Sequence, residues 1–108
     1  NDTDEKHFLI RKGAVPCGYL KINGLEDGND GWISILAVAS AFQRKGIGKY
    51  AVSYAESFFK KQGKLCVKIH TTTDNYPARK LYEKCGYLLC NSTNTYTAKD
   101  KLTYFKQI

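Results

Sequence analysis

The sequence predicts a mixed α/β (α+β) protein whose mostly antiparallel sheet contains a β-α-β unit. Three observations predict this class: short apolar runs with β character, two segments with helical spacing, and turn-forming residues between them. The expected order is β-β-β-α-β-α-β-β, with a right-handed crossover at the β-α-β unit. At 108 residues, the chain is expected to form a single domain, residues 1–108.

Three strands open the predicted order. The stretches "HFLIRKG" and "VPCGYLKING" predict two strands joined at Gly13 and Ala14. The cluster "GLEDGNDG" then supplies the residues that a tight reversal requires. The run "WISILAVA" follows, and its almost continuous apolar character predicts a central strand covered on both faces.

Helical spacing begins at Gly46. Lys60 and Lys61, followed by Gly63, suit the C-terminus of this helix. Its expected apolar stripe consists of Ile47, Ala51, Tyr54, Ala55, Phe58 and Phe59.

The second half repeats the alternation of strand and helix. The stretch "LCVKIHTTT" predicts a strand, and Pro77 suits the first turn of a short helix that ends near Lys84 and Gly86. The stretches "YLLC" and "KLTYFKQI" predict the last strands, on either side of a polar loop.

Composition and charge limit the partners, the location and the metal content that the protein is expected to have. The formal net charge is +7, from 17 Lys and Arg against 10 Asp and Glu, which favours an anionic partner. No apolar run reaches the ~18 residues of a membrane span, so a soluble, cytoplasmic protein is expected. The four cysteines form no C-x-x-C pair, so free thiols and no metal are expected. The chain contains no methionine, so Asn1 is not expected to be the encoded start: a leader or an N-terminal part precedes it, or the chain begins inside a domain.

The stretch "FQRKGIGKY" is the first candidate site. It joins a buried strand to an amphipathic helix, where free backbone N–H groups and the helix dipole form an anion site. Gly46 and Gly48 would let phosphate oxygens approach the backbone, and Arg44, Lys45 and Lys49 would attract them. The stretch lacks the Lys-Ser/Thr of a P-loop and the third glycine of the dinucleotide fingerprint.

A second pattern follows about thirty residues later, and together the two resemble a known family. Asn75-x-x-Ala78, then "LYEKCGY", follows "LAV" at 36–38 and the Q-x-x-G-x-G loop. In this order, with a strand between them, these motifs strongly resemble the GNAT family of acetyl-CoA-dependent N-acetyltransferases. The resemblance covers roughly residues 9–89.

The resemblance implies an acyl-CoA N-acyltransferase core that transfers acetyl from acetyl-CoA to a primary amine, without a metal. It implies that Tyr82 acts as the general acid and that the Val38 amide faces the thioester carbonyl. The residues implied to bind the cofactor are Leu36, Ala37 and Val38 at the strand end, Gln43, Arg44, Lys45, Gly46, Ile47, Gly48 and Lys49 at the pyrophosphate, and Asn75 at the pantetheine. Core packing for Tyr82 and a helix-capping role for Asn75 are the alternative interpretations.

The sequence departs from the family in two places. Many members carry a glutamate on the strand before the loop, where this chain has Ser34. The general base is therefore not assigned. The candidates are Glu26, Asp27, Asp30 and His70, and the alternative is that no side chain acts as the base. Members also usually begin with a strand and two helices before the first strand recognised here, and these helices commonly line the acceptor pocket. None of the three is recognised in this sequence, so, with the missing methionine, Asn1 is expected to lie inside a longer domain.

Two other classes of function stay open. The chain could be a non-catalytic or fragmentary acyl-CoA-binding module, since its base is unplaced. A basic nucleic-acid-binding domain would use its charge and its eight tyrosines, but no nucleic-acid motif is present. The expected partners are therefore acetyl-CoA and an amine, with no membrane and no nucleic acid, and a homodimer is left open.

Overall fold

The computed structural model describes residues 3–90 and 101–108. Within these residues the elements follow the predicted order, and a single 3-10 turn, Ser40–Phe42, precedes the first helix. The predicted polar loop, residues 91–100, lies outside the described residues. The elements are β1 (Lys6–Lys12), β2 (Val15–Asn23), β3 (Asp30–Val38), α1 (Ile47–Lys61), β4 (Cys66–Thr72), α2 (Tyr76–Lys84), β5 (Leu88–Leu89) and β6 (Lys101–Gln107).

The strands form one mixed sheet in the order β1-β2-β3-β4-β6-β5. The pairs are antiparallel except for β3 and β4, which run parallel. Helix α1 connects these two parallel strands, because neighbouring parallel strands need a crossover rather than a hairpin. The predicted mixed, mostly antiparallel sheet with its β-α-β unit is confirmed.

The parallel pair separates halfway along its length. Pairing between β3 and β4 runs from Asp30 opposite Cys66 to Ile33 opposite Ile69, and the described ladder goes no further. Both strands nevertheless continue, β3 to Val38 and β4 to Thr72. The space between residues 34–38 and residues 70–72 is called the β3–β4 gap below.

Both helices pack on one face of the sheet. Phe59 of α1 lies directly on Gly31 of β3, where an added Cβ would come within 2.4 Å of the phenyl ring. Tyr82 of α2 makes an edge-to-face contact with Tyr104 of β6 at 5.8 Å between centroids. The core cluster comprises Leu20, Ile22, Ile33, Val52, Ala55, Phe59, Val67, Ile69, Tyr82, Tyr87 and Tyr104.

The opposite face, here the outer face, corrects one prediction. The strand β3 was expected to be covered on both faces, yet only Gly31 and Ile33 are buried, while Ser34, Ile35 and Ala37 are exposed. The reason is that both described helices pack on the same face. Of the predicted α1 stripe, Ala51, Ala55 and Phe59 are buried, whereas Tyr54 is 42% exposed.

A set of polar contacts fixes α2 to the rest of the fold. The hydroxyl of Tyr104 donates to Glu83 Oε2 at 3.0 Å and accepts from Arg79 Nε at 3.1 Å. Lys106 Nζ donates to the Glu56 carboxylate at 3.2 Å and to the Cys85 carbonyl at 2.8 Å. The last strand therefore connects both helices through charged groups. All four cysteines carry free thiols.

Neither described helix has both the length and the apolar character needed to cross a membrane.

Candidate functional site

The end of β3 presents backbone groups to the β3–β4 gap. The Ala39 N–H donates to the Cys17 carbonyl at 2.8 Å, which sets the alternation of the β2–β3 ladder. Leu36 and Val38 then stand at positions whose backbone groups face away from β2, whereas Ala37, opposite Tyr19, faces β2. Of the three predicted contacts on this strand, two therefore have backbone groups directed into the gap.

The loop after β3 folds back on the strand. Gln43 Nε2 donates to the Val38 carbonyl at 3.0 Å, so this side chain holds the strand end in place. Arg44 and Gly46 both have positive φ, 63° and 83°, and these angles turn the chain into α1. Such angles favour glycine, so Gly46 supplies a conformation that other residues adopt only at a cost.

The N-terminus of α1 is open. No described side chain caps it, and its first turn contains no acidic residue. The backbone N–H groups at this end have no partner within the helix, so they and the helix dipole attract an anion. The side chains of Arg44, Lys45 and Lys49 are exposed around it. The structure thus brings the predicted cradle residues together at one helix end.

The two glycines of the cradle differ in function. A Cβ added at Gly46 would meet nothing within 4 Å, so this glycine is explained by its φ. A Cβ added at Gly48 would come within 2.9 Å of Leu81 Cδ2 on α2. The sequence analysis assigned both glycines to phosphate approach, and the structure adds a packing reason for the second.

Asn75 caps the second helix. Its Oδ1 accepts from the Ala78 N–H at 3.3 Å, and Pro77 follows in the first turn. The capping alternative is therefore confirmed. The amide Nδ2 has no hydrogen-bond partner among the described residues and stays available as a donor, which is the group that a pantetheine contact would use.

Tyr82 lies in the core with its ring between two other tyrosines. It is 6% exposed, and its ring centroid lies 6.4 Å from that of Tyr87 and 5.8 Å from that of Tyr104. Burial, with a smaller contribution from nearby Cys85, raises the pKa of Tyr82 to about 12. Within the described part of the chain its hydroxyl forms no hydrogen bond. Tyr82 is therefore both a packing residue and a neutral phenol at physiological pH.

The candidate bases are distributed unevenly. Asp30 is tied to Lys68 by an ion pair of 2.9 Å, and Glu26 and Asp27 lie in the loop before β3. His70 is the one of the four that lies among the residues bordering the β3–β4 gap, since Asp30 stands at the opposite, paired end of β3.

An open cavity of about 270 Å³ lies on the outer face beside the gap. The imidazole of His70 and the indole of Trp32 lie 4.6 Å apart within its wall, and Ser34 Oγ donates to Asn23 Oδ1. The sequence analysis did not single out Trp32 or Asn23. Their outward position follows from strand alternation, but that signal does not separate a pocket from an exposed face. The lining residues are Asn23, Trp32, Ile33, Ser34 and His70.

The sheet with a separated parallel pair and an open helix end beside it defines the acyl-CoA N-acyltransferase fold, which solved structures share. An acetyltransferase from Thermus thermophilus has a TM-score of 0.84 at 19% identity, over 99% of this chain and 66% of its own. The PaiA N-acetyltransferase of Thermoplasma acidophilum, solved with coenzyme A, gives 0.84 at 19%, over 97% and 62%. A Bacillus subtilis acetyltransferase, also solved with CoA, gives 0.84 at 20%, over 97% and 78%.

The family itself is shown by sequence. A model of the acetyltransferase (GNAT) family matches residues 1–87, which is most of the chain. The chain therefore belongs to the GNAT acetyltransferase family. It spans 66% and 62% of the Thermus and Thermoplasma proteins, less than two thirds of each. No curated protein matches it in sequence.

Proposed function

We propose that this chain is an acetyl-CoA-dependent N-acetyltransferase that acetylates a primary amine, with residues 1–108 belonging to a single catalytic domain. The observation that carries the proposal is the open N-terminus of α1, adjacent to a strand whose backbone groups face the β3–β4 gap. An anion site and backbone groups that face the gap suit the pyrophosphate and the amide-rich arm of a CoA thioester. Relatives solved with CoA support the same cofactor.

Acetyl-CoA would supply an acetyl group activated as a thioester. Gln43, Arg44, Lys45, Gly46, Ile47, Gly48 and Lys49 would bind its pyrophosphate. Leu36, Ala37 and Val38, together with Asn75, would hold its pantetheine.

The Val38 N–H would stabilise negative charge on the carbonyl oxygen during attack. Gln43 supports this role indirectly, because its bond to the Val38 carbonyl fixes the next peptide group, between Val38 and Ala39, and so restrains the end of the strand.

Tyr82 would act on the sulfur. Tyr82 has a pKa of about 12, whereas a thiol has a pKa of ~8.5. Complete transfer of the tyrosine proton to the thiolate would therefore cost a free energy of roughly 5 kcal/mol. Its hydroxyl therefore acts best as a hydrogen-bond donor while the C–S bond breaks, with the proton recovered from solvent. The lack of a described partner for this hydroxyl leaves it free for that donation.

The test measures acetyl-CoA binding by calorimetry and thiol release with a panel of amines. Tyr82→Phe should slow thiol release at least about 100-fold, the lower end of the ~10²–10⁴ range of acid catalysis, and leave acetyl-CoA affinity within about two-fold. Tyr50→Phe, at an exposed position on α1, is the matched control and should match the wild type. Equal turnover of Tyr82→Phe and wild type would remove Tyr82 from catalysis.

A second candidate is a non-catalytic acyl-CoA-binding module. It is favoured by one observation: within β3, the strand that carries a glutamate in many relatives, the single carboxylate is Asp30, which is ion-paired with Lys68. Saturable acetyl-CoA binding without thiol release, for every amine tested, would identify this module and exclude the enzyme.

A further inference from the structure

We infer that the outer-face cavity between Trp32 and His70 receives the acceptor amine, and that His70 Nε2 takes the proton which the amine loses. The inference rests on the proposed acetyl transfer and names the acceptor pocket and the base of that same site.

The first step is position. The last described pair of the β3–β4 ladder is Ile33 opposite Ile69, so Ser34 and His70 are the first residues beyond it. The cavity lined by these two residues therefore lies where the strands separate. The gap that would admit the thioester and the pocket that would admit the amine then meet at the same point in the sheet.

The second step is the tautomer. His70 Nδ1 lies 2.9 Å from Thr103 Oγ1 on β6, and the backbone of Leu102 also forms a hydrogen bond that raises the pKa of the imidazole. A bond that favours the protonated ring is one in which a ring N–H donates to the carbonyl. A proton on Nδ1, facing β6, leaves the lone pair on Nε2. Within the described residues Nε2 has no hydrogen-bond partner.

The third step is the electrostatic environment. Partial burial and Lys101 of β6 lower the pKa of His70 from its ordinary value. Lys68, two residues earlier on β4, is held by Asp30 of β3 and lies over the Trp32 ring at 5.7 Å. No carboxylate contacts the imidazole among the described residues. Its neutral form therefore predominates at pH 7, as a general base requires.

The reaction balances with these groups. The ammonium form of the amine gives one proton to His70 Nε2, and its nitrogen forms the new C–N bond as the C–S bond breaks. A second N–H proton is lost when the amide forms. This second proton passes through solvent to the CoA sulfur, to which Tyr82 donates a hydrogen bond, and the first passes from His70 to solvent.

The chemistry of the alternatives favours His70. Asp30 is already neutralised by Lys68, and Glu26 and Asp27 lie in the loop before β3, outside the residues that line the cavity. Ser34 Oγ donates to Asn23, and an unactivated hydroxyl is no base at neutral pH.

The experiment compares His70→Gln with His7→Gln, since His7 lies on β1 and outside the cavity. Thiol release is measured from pH 5.5 to 9 with acetyl-CoA and glycinamide, phenethylamine or spermidine. His70→Gln should lower kcat/KM about 100-fold at pH 7, by the ordinary contribution of a general base. His70→Gln should also abolish the increase of kcat/KM with pH below neutrality. His7→Gln should keep the wild-type kcat/KM at pH 7 and the wild-type pH dependence.

A second readout follows the His70 imidazole by NMR. Adding the best amine to the CoA-bound protein should shift the His70 signals and leave those of His7 unchanged. If the wild type acetylates an amine but His70→Gln has the same rate and pH profile, this inference fails and the proposed function stands. If the wild type binds acetyl-CoA and acetylates none, both fail.

Discussion

The N-termini of the two helices are built in opposite ways. Helix α1 follows Gly46 in a left-handed conformation, and no described side chain caps it. Helix α2 follows Asn75, whose Oδ1 accepts from the Ala78 N–H, and Pro77 removes one further unpaired donor. A side-chain cap stabilises a helix by about 1 kcal/mol, so the 15-residue α1 lacks a stabilisation that the shorter α2 has.

The charges around the two ends sharpen this contrast. Neither first turn contains an acidic residue, but Arg44, Lys45 and Lys49 surround the start of α1. Cations at the positive end of a helix dipole destabilise it, by about 0.3–1 kcal/mol each when close. An arrangement that is unfavourable for the free protein becomes favourable once an anion binds. The difference between the two helices therefore supports the proposal that an anion binds at the start of α1, whereas the start of α2 has a structural cap.

Charge reversal at Lys49 is expected to have the largest effect. Lys49→Glu should lower acetyl-CoA affinity about 10- to 100-fold, the value of one charge-assisted contact to phosphate. The same change should leave the melting temperature unchanged or slightly raised, because a carboxylate suits a helix N-terminus. Calorimetry and thermal unfolding measure the two quantities.

Lys60→Glu is the matched control, in the last turn of the same helix. It should leave acetyl-CoA affinity unchanged and slightly lower the melting temperature. Equal affinities for Lys49→Glu and wild type would show that the open end of α1 is not the anion site.

The packing of Gly48 against α2 gives the next effect. Gly48→Ala should lower the free energy of unfolding by up to about 1 kcal/mol, because its Cβ would come within 2.9 Å of Leu81 Cδ2 and the movement of that side chain outweighs the usual gain of alanine in a helix. In the double variant Gly48→Ala/Leu81→Ala the two losses should not add, since the second change removes the clash. Denaturant unfolding measures this coupling. Full additivity would exclude the contact as the reason for glycine here.

The fold was predictable from sequence because its signals are local. Helical spacing after Gly46, Pro77 in a first turn and the apolar strand runs each depend on neighbouring residues. The coverage of β3 was predicted wrongly, because Ser34, Ile35 and Ala37 lie in an apolar run and yet are exposed. Which face of the sheet the helices cover depends on chain direction and crossover handedness. The residue types of β3 alone do not indicate that face.

The candidate site likewise has one part that could be predicted from the sequence and one part that could not. The loop at residues 43–49 was predictable as a turn into a helix, because a positive φ favours glycine, as at Gly46, while its binding of pyrophosphate stays a proposal. The cavity on the outer face is formed by side chains from three strands, so Asn23, Trp32 and His70 meet only after folding. The spacing of these residues along the chain does not indicate that they lie close together in the fold. The Gly48 contact with Leu81 was hidden for the same reason.

The cap of α2 predicts a stability effect of similar size. Asn75→Ala should lower the free energy of unfolding by about 1 kcal/mol, a fall in melting temperature of roughly 4–8 °C for a small domain. Asn75→Ser should recover most of this loss, because serine is a comparable cap. If alanine proves as stable as asparagine, the 3.3 Å bond to the Ala78 N–H contributes nothing to stability.

Asn75→Asp tests whether the capped helix also takes part in binding, and its effect should be the smallest. Aspartate keeps the oxygen that accepts from Ala78, so unfolding should be unchanged. It replaces the Nδ2 donor with an oxygen, so a neutral hydrogen bond to a pantetheine carbonyl would be lost. That loss corresponds to about 0.5–1.5 kcal/mol, or a 2- to 10-fold weaker affinity for acetyl-CoA. Unchanged affinity would limit Asn75 to capping. The start of α2 would then have a structural function alone, in contrast to the uncapped start of α1.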